Sequence, residues 1–363
     1  MNEGPDSLWR MLVKVWRWII SCLSSLIPRH SRSITFDTGR RVSVGRQIAE
    51  GGFSYVFEAT DDAGRKYALK RVYLGDSETL VACRKEAGLH RSVRHRNLMP
   101  LLGMTLEEGN TICYMLFPYV PHSLRAEVNR RFFSDKPANP WMEHVALEIF
   151  LGICDGVAAL HTQANHSHRD LKLENVLLTG DKQKIPIIMD FGSAGPLVQP
   201  IETRKQVLQI VEDAASHTTM PYRPPELLEG GVRAGDADVD FCAVDVWSLG
   251  CTLFAILYGA SPFECEFVRT SGIKIVDCTS LRILGDLPRM PQEVQSWYST
   301  ETMELIQRML TQDRMKRPTL DQVIDTVEGL IEQQGGRVRH GSATNNGDSD
   351  NHMEALLGNR GFV

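Results

Sequence analysis

The chain lacks the signatures of several special protein classes. Its eight cysteines include no Cys-x-x-Cys pair, which excludes a zinc framework of that type, and several lie in apolar runs, as in proteins of a reducing compartment. We find no internal repeat, and a net charge of −5 counts against a general nucleic-acid binder. The whole chain of 363 residues, 42% apolar and 23% charged, has the composition of an ordinary folded protein with one two-lobed domain or two smaller ones.

The N-terminus also lacks common targeting signals. Asn2 occupies the position of the glycine that N-myristoylation requires. Glu3 and Asp6 interrupt the basic stretch that opens a secretory signal peptide, and no clear cleavage site follows. We therefore expect neither myristoylation nor signal cleavage.

Residues 8–27 read LWRMLVKVWRWIISCLSSLI and predict an amphipathic helix. Arg10, Lys14 and Arg17 are spaced to form one narrow stripe, and aromatic and aliphatic side chains cover much of the remaining surface. Three interpretations stay open: a helix lying on a membrane surface, a membrane-spanning anchor, and a helix that docks on protein. We favour the first because rings suit the headgroup level and cations meet anionic lipid there, whereas three cations are costly inside hydrocarbon.

Three alternating stretches within residues 42–72 predict paired strands, the last two joined by a turn at residues 62–64. Between the first two lies AEGGFSYV, residues 49–56. A loop that covers phosphates needs glycine where backbone N–H groups approach oxygen closely. Of the three glycines in G-x-G-x-x-G-x-V only Gly51 is present, since Ala49 and Ser54 replace the others. Alone, this loop therefore fits a plain glycine hairpin as well as a phosphate binder.

Lys70 strengthens the phosphate interpretation. It ends the apolar strand YALK, 14 residues after Val56, at the spacing of a lysine that clamps nucleotide phosphates. Such a lysine needs a carboxylate to orient it, and Glu86 in the following helix is the candidate. Residues 116–120, LFPYV, end the last strand of this half. Backbone groups around Pro118 to Val120 would face adenine, and Phe117 would narrow the back of the pocket.

Residues 168–175, HRDLKLEN, place an aspartate, a lysine and an asparagine in one loop. At this spacing Asp170 would orient or deprotonate a hydroxyl, Lys172 would stabilise a transferring phosphoryl group, and Asn175 would hold one Mg²⁺. Twenty residues after Asp170, Asp190 opens an Asp-Phe-Gly motif and would bind the Mg²⁺ that bridges the phosphates. Arg169 is expected to be structural and could also receive a phosphate from the downstream loop.

The segment after Asp190 predicts a peptide platform. Thr219 stands seven residues before Glu226, where it would contact the loop of residues 168–175, called the catalytic loop below. We expect Glu226 to pair with Arg317, and Asp245, at the start of a buried helix, to anchor the loop backbone. These last three residues are predicted to be structural.

The chain resembles a eukaryotic protein kinase from about residue 42 to 333, through EGGFSYV, YALKR, KEAGLHR, LGICDGVAALH, HRDLKLENVLL and EDAASHTTMPYRPPE. It looks closest to the Numb-associated kinase family, in its myristoylated and palmitoylated serine/threonine branch. That family is marked by a helix in the activation segment, and residues 202–216 have the apolar spacing for one. The branch is tethered to Golgi-type membranes by N-terminal acyl groups, and here the helix at 8–27 would substitute for the lipid.

The resemblance implies an α+β, two-lobed fold with a small antiparallel N-lobe sheet and a mainly helical C-lobe. The expected divisions are an N-terminal segment with linker at 1–33, an N-lobe at 34–120, a C-lobe at 121–333 and a disordered tail at 334–363. The implied cofactors are ATP and Mg²⁺, and the implied partners are protein substrates and a Golgi or endomembrane surface on the cytoplasmic side. The implied nucleotide-binding residues are Ile48, Gly51, Gly52, Ser54, Val56, Ala68, Lys70, Glu86, Tyr119 and Leu177.

The sequence therefore predicts a serine/threonine protein kinase, with Asp170 as base. The alternatives are a membrane-associated pseudokinase scaffold and a small-molecule kinase of similar fold. The pseudokinase is disfavoured because pseudokinases usually lose one residue of a set that is complete here, namely Lys70, Glu86, Asp170, Asn175 and Asp190. The platform from Thr219 to Glu226 argues against the second.

Overall fold

The computed structural model describes residues 32–51, 54–135, 139–179, 184–268 and 272–335. The expectations for the helix at 8–27 and for most of the tail at 334–363 fall outside these ranges, as does Gly52, and they stay predictions. The described residues form two lobes, a small one built on a β-sheet and a larger one built mainly on helices.

The small lobe contains a six-stranded antiparallel sheet in the order β1-β2-β3-β4-β6-β5. Alternation of side chains places Tyr67, Leu69 and Ala59 in one buried cluster. Val56 on β3 lies opposite Lys70 on β4. The lysine is therefore at the centre of β4, next to the strand that follows the glycine loop. The strands are β1 Ser33–Thr35, β2 Arg41–Glu50, β3 Ser54–Thr60, β4 Lys66–Tyr73, β5 Gly103–Leu106 and β6 Ile112–Pro118.

One helix, α1 Ser77–Ser92, packs against this sheet. The Asp76 carboxylate caps its first turn by accepting a hydrogen bond from the Thr79 N–H at 2.7 Å. Its buried face carries Cys83, Ala87 and Leu89, and also Glu86, which points toward β4. The helix thereby delivers a carboxylate to the strand that bears Lys70.

The large lobe is built around two apolar helices, α3 (Glu143–Ala164) and α5 (Phe241–Tyr258). Within the described ranges these two are long and apolar enough to cross a membrane, but most of each is buried inside the protein, as expected of core helices. Two further helices are short, Ser280–Ile283 and Gln292–Gln295. The longer ones are α2 Leu124–Phe132, α3 Glu143–Ala164, α4 Arg204–His217, α5 Phe241–Tyr258, α6 Thr300–Met309 and α7 Leu320–Gln333.

Short strands position the loops between the lobes. β7 His122–Ser123, β8 Val176–Thr179 and β9 Ile185–Ile188 form a three-stranded sheet, and β10 Cys265–Val268 pairs with β11 Gly272–Ile275. The loop of residues 168–175 precedes β8, and Asp190 follows β9, so the antiparallel pairing of these strands brings both loops to one edge. Two-residue strands also pair His166–Ser167 with Gly195–Pro196 and Val198–Gln199 with Val239–Asp240.

The α+β, two-lobed architecture expected from the sequence is confirmed. Helix limits differ in detail. Helix α3 ends at Ala164, after which Asn165 adopts the left-handed conformation. The helix predicted over 202–216 begins after Thr203, because Thr203 and Gln206 form a capping box there.

Candidate active site

Lys70 stands between two carboxylates at the junction of the lobes. Its ammonium donates to Glu86 Oε1 at 2.7 Å and to Asp190 Oδ1 at 3.0 Å. Strand β4, helix α1 and the loop after β9 each contribute one of the three groups. The structure thus brings together a lysine, an orienting carboxylate and a second carboxylate that the sequence analysis had assigned to separate motifs.

These contacts keep Lys70 and Asp190 charged, whereas burial raises the pKa of Glu86. Burial opposes the charge of Lys70, but Glu86 and Asp190 outweigh it and raise the pKa of the lysine. Partial desolvation by the surrounding protein likewise opposes ionisation of Asp190, whose side chain is still about half exposed, and the neighbouring Lys70 outweighs it and holds the pKa of that carboxyl below its usual value. Lys70 is therefore cationic and Asp190 anionic across the neutral pH range.

The catalytic loop has a second hydrogen-bond network around Asp170. Asp170 Oδ1 accepts from the Thr219 hydroxyl at 2.7 Å and from the Thr219 N–H at 3.0 Å. Lys172 Nζ donates to Asp170 Oδ2 at 2.7 Å and to the Thr219 hydroxyl oxygen at 2.6 Å. The Asn175 amide donates to the Asp170 carbonyl at 2.8 Å and to Oδ2 at 3.1 Å. The four side chains hold one another in a fixed arrangement beside the cleft.

The oxygen donors of this site suit Mg²⁺ bound together with phosphates. Because the Asn175 amide nitrogen is used on Asp170, its carbonyl oxygen is the atom left for a cation. Asp190 adds a carboxylate that is about half exposed. Within the described part of the chain no group of three or more His, Cys, Asp and Glu could hold a metal. Two oxygen ligands fit Mg²⁺, which usually keeps waters and takes its other ligands from substrate phosphates.

A buried carboxylate fixes the backbone of the catalytic loop. Asp245, fully buried at the start of α5, accepts from the N–H groups of His168 and Arg169, each at 2.8 Å. It also bonds the His161 ring at 2.7 Å. Arg169 (φ 69°) and Asp190 (φ 63°) both adopt the left-handed conformation, which is strained for residues other than glycine. The contacts around Asp245 and Lys70 offset that strain where the chain turns into the site.

An aromatic stack that the sequence analysis missed connects the two lobes. His90 stacks on Phe191 with ring centroids 4.0 Å apart, and His168 meets the Phe191 ring edge-on with centroids 5.8 Å apart. His90 Nδ1 also bonds the Met99 carbonyl at 2.8 Å, and burial lowers the pKa of this histidine to about 4. The only signal in the sequence is the i, i+4 spacing that places His90 on the same helix face as Glu86.

Two of the expected nucleotide-pocket residues, one from each lobe, meet at a shared buried cluster. Ala68 from the small lobe and Leu177 from the large one pack against the same buried cluster, which includes Phe117 and Val120. Ile48, on β2, is 38% exposed. Four other residues of the expected set lie just after β2, on β3 or just after β6, namely Gly51, Ser54, Val56 and Tyr119.

The platform segment is anchored as expected, but Arg169 is already engaged. Arg317 makes a bidentate pair with Glu226, at 2.6 and 2.7 Å, and both side chains are buried. Arg169 donates to the Pro196 carbonyl at 2.6 Å and lies 3.6 Å from the centre of the Phe241 ring. A Cβ on Gly195 would lie 2.3 Å from the Arg169 guanidinium carbon, so a larger residue there would displace the guanidinium. In this arrangement Arg169 is a structural clamp and not a free phosphate receptor.

Comparison with known proteins agrees with this geometry. The family model of the protein kinase domain matches residues 42–327. Serine/threonine-protein kinase 16 of Rattus norvegicus and its Homo sapiens counterpart are each 31% identical over 309 residues, covering 83% of this chain and 93% of the relative. Serine/threonine-protein kinase sel-5 of Caenorhabditis elegans is 29% identical over 290 residues, covering 78% of this chain and 25% of the relative.

Proposed function

The chain belongs to the protein kinase family and is a serine/threonine protein kinase, and we propose that it transfers the γ-phosphoryl group of MgATP to protein hydroxyls with Asp170 as the base, at an intracellular membrane surface. The observation that carries the chemistry is the placement of Lys70 between Glu86 and Asp190, at 2.7 and 3.0 Å. An oriented lysine next to a metal-binding aspartate is the arrangement that holds nucleotide phosphates for transfer.

Each side chain has a defined part in the transfer. Lys70, oriented by Glu86, binds the α- and β-phosphates. Asp170 orients the acceptor hydroxyl and takes its proton, while Lys172 offsets the negative charge that develops on the transferred group. Asn175 and Asp190 hold Mg²⁺, which neutralises phosphate charge when bound. Thr219 aligns Asp170 by donating two hydrogen bonds to a single carboxylate oxygen.

The substitution Asp170→Asn tests the assignment of the base. It preserves the shape of the side chain but removes the proton acceptor, so we expect phosphorylation of a Ser/Thr peptide to fall by roughly 10²–10⁴-fold. MgATP affinity, measured by calorimetry, should stay close to wild type. Asp325→Asn, at an exposed position on α7, is the matched control and should leave activity unchanged. Residual turnover within about tenfold of wild type would contradict Asp170 as base. A wild-type protein that binds MgATP but transfers no phosphoryl group would instead support the pseudokinase scaffold.

We propose that, within the kinases, the chain belongs to the Numb-associated family. The support is a helix within the activation segment, α4, between Asp190 and the platform. Its buried side chains Ile210 and Ala214 belong to one cluster with Leu227 and Val244, so the helix is packed onto the large lobe. Phylogenetic placement of this insert among kinase sequences is the test, and grouping with a family that lacks the helix would overturn the assignment.

The membrane location rests on residues 8–27, whose cations and tryptophans suit an anionic bilayer surface. Residues 32–363 form the matched truncation, because they keep β1 and its pairing with β2. We expect the full chain to sediment with anionic vesicles and the truncation to stay in solution, with equal peptide-kinase activity. In cells, microscopy should show the full chain on Golgi or other endomembranes. Unchanged membrane binding by the truncation would rule out residues 8–27 as the tether.

A further inference from the structure

Arg125, in the first turn of α2, joins the catalytic loop to the peptide platform. Its Nε donates to Glu174 Oε1 at 2.8 Å, and Nη1 donates to the Gly259 carbonyl at 3.0 Å. Nη2 lies 3.5 Å from the Tyr222 hydroxyl oxygen. The guanidinium is therefore held from three directions, by groups that are far apart in the chain.

One of these partners, Glu174, is an exposed side chain beside the catalytic groups, and another, Tyr222, is a buried side chain of the platform. Glu174 is in the short turn Leu173–Asn175, between Lys172 and Asn175, so it belongs to the loop that carries the catalytic groups. Tyr222 belongs to the platform, three residues after Thr219. A peptide whose hydroxyl reaches Asp170 comes close to the exposed Glu174, and Arg125 ties that side chain to the platform.

The charge balance at this junction depends on Arg125. The Glu174 side chain is 46% exposed, while that of Arg125 is 20% exposed. Glu264 is a second carboxylate nearby, but it accepts a hydrogen bond from the Ser261 N–H at 3.0 Å, and burial raises its pKa. Glu174 is therefore the carboxylate that an incoming substrate cation would meet, and Arg125 already occupies it.

We propose that Arg125 is a specificity-determining residue, which holds Glu174 so that basic residues flanking the phosphoacceptor find no free carboxylate and the enzyme does not select basic substrates. A substrate arginine would have to displace a guanidinium that is tethered in place, and an intramolecular partner competes at a high effective concentration. The inference rests on the peptide-phosphorylating activity proposed above and adds the substrate class that the site favours.

The test compares kcat/KM for a neutral serine peptide with a set in which a single arginine is moved along the positions flanking the acceptor. For the wild-type chain we expect the ratio of kcat/KM, each arginine peptide over the neutral peptide, to be near one at every position. In Arg125→Gln we expect at least one arginine position to gain about fivefold, the factor that corresponds to roughly 1 kcal/mol for an exposed ion pair. Adding Glu174→Gln should abolish the gain. Because the measure is a ratio, a general loss of activity cancels.

Two variants keep the test decisive. Arg130→Gln removes an exposed arginine of the same helix that pairs with Glu127, and its ratios should equal those of the wild type. Glu174→Gln alone leaves the Arg125 charge unpaired, so its ratios should move against the arginine peptides even if Arg125→Gln fails to fold.

The outcomes separate the two proposals. A wild-type chain that already prefers an arginine peptide, or an Arg125→Gln chain whose ratios do not change, overturns the role of Arg125 and leaves the kinase assignment intact. A wild-type chain that phosphorylates none of the peptides, including the neutral one, overturns the proposed function and this inference with it.

Discussion

His161 shows how one buried charge supports the catalytic loop without touching a substrate. Its ring bonds Asp245 Oδ2 at 2.7 Å, and the same oxygen accepts the backbone N–H of His168 at 2.8 Å. Burial opposes protonation of His161, but Asp245 and the neighbouring Cys242 outweigh it and raise the pKa of the histidine to about 10. The histidine is thus a cation at neutral pH and balances the buried Asp245 carboxylate.

This pairing predicts a pH-dependent stability. Because the folded pKa of His161 lies above its ordinary value of 6.5, its contribution is fully present below that value and is lost as pH rises toward about 10. The loss is on the order of a few kcal/mol, since each pKa unit corresponds to about 1.4 kcal/mol. Urea unfolding of the wild type and His161→Phe, followed from pH 6 to 9.5, should show the stability difference shrinking as pH rises. A difference independent of pH would mean that the histidine is neutral in the folded protein.

Helix α4 is stabilised by both a cap and a single apolar face. Thr203 and Gln206 close its first turn with reciprocal hydrogen bonds. Ile210 is 1% exposed, whereas Leu208 is 50% exposed on the same helix. Because the helix packs through so few side chains, we expect it to unfold locally within the activation segment.

Substitutions at these two positions should separate packing from helix propensity. Ile210→Ala removes a buried side chain, and such truncations cost about 2–5 kcal/mol, so we expect amide exchange across residues 204–217 to accelerate strongly. Leu208→Ala replaces an exposed side chain by the best helix former and should leave exchange nearly unchanged. Hydrogen exchange with mass spectrometry is the measurement. Equal protection in both variants would show that the helix is not held by its apolar face.

At the scale of the whole molecule, the Arg317–Glu226 pair fastens the platform to the C-terminal helices. Replacing Arg317 by methionine leaves the Glu226 carboxylate buried and unpaired, so we expect the free energy of unfolding to fall by about 3–5 kcal/mol. Lys316→Met, which breaks the largely exposed pair with Asp313, should cost no more than about 1 kcal/mol. Adding Glu226→Gln to Arg317→Met should restore part of the loss. Equal effects of the two single variants in urea unfolding would contradict a buried pair.

Much of this molecule was accessible from sequence because chemistry in this family follows spacing. The positions of Lys70, Asp170 and Asp190 along the chain were enough to expect them at one site. The partners missed were long-range: His161 meets Asp245 84 residues away, and Arg125 meets Glu174 49 residues away. No local periodicity reports such contacts, because they depend on how helices pack after they form. The helix predicted over residues 202–216 is Arg204–His217, because its cap and its packing decide where it begins and ends.

The anchoring of the catalytic loop by Asp245 has a consequence for synthesis on the ribosome. The loop receives its backbone acceptor from a residue 77 positions after His168, so a nascent chain that has just emerged through Asn175 cannot yet hold the loop in shape. The platform waits longer, because Glu226 is paired with a residue 91 positions downstream. We therefore expect the catalytic centre to form late in translation and in two steps. The small-lobe sheet can form earlier, because all its strand pairs except β4 with β6 join consecutive strands.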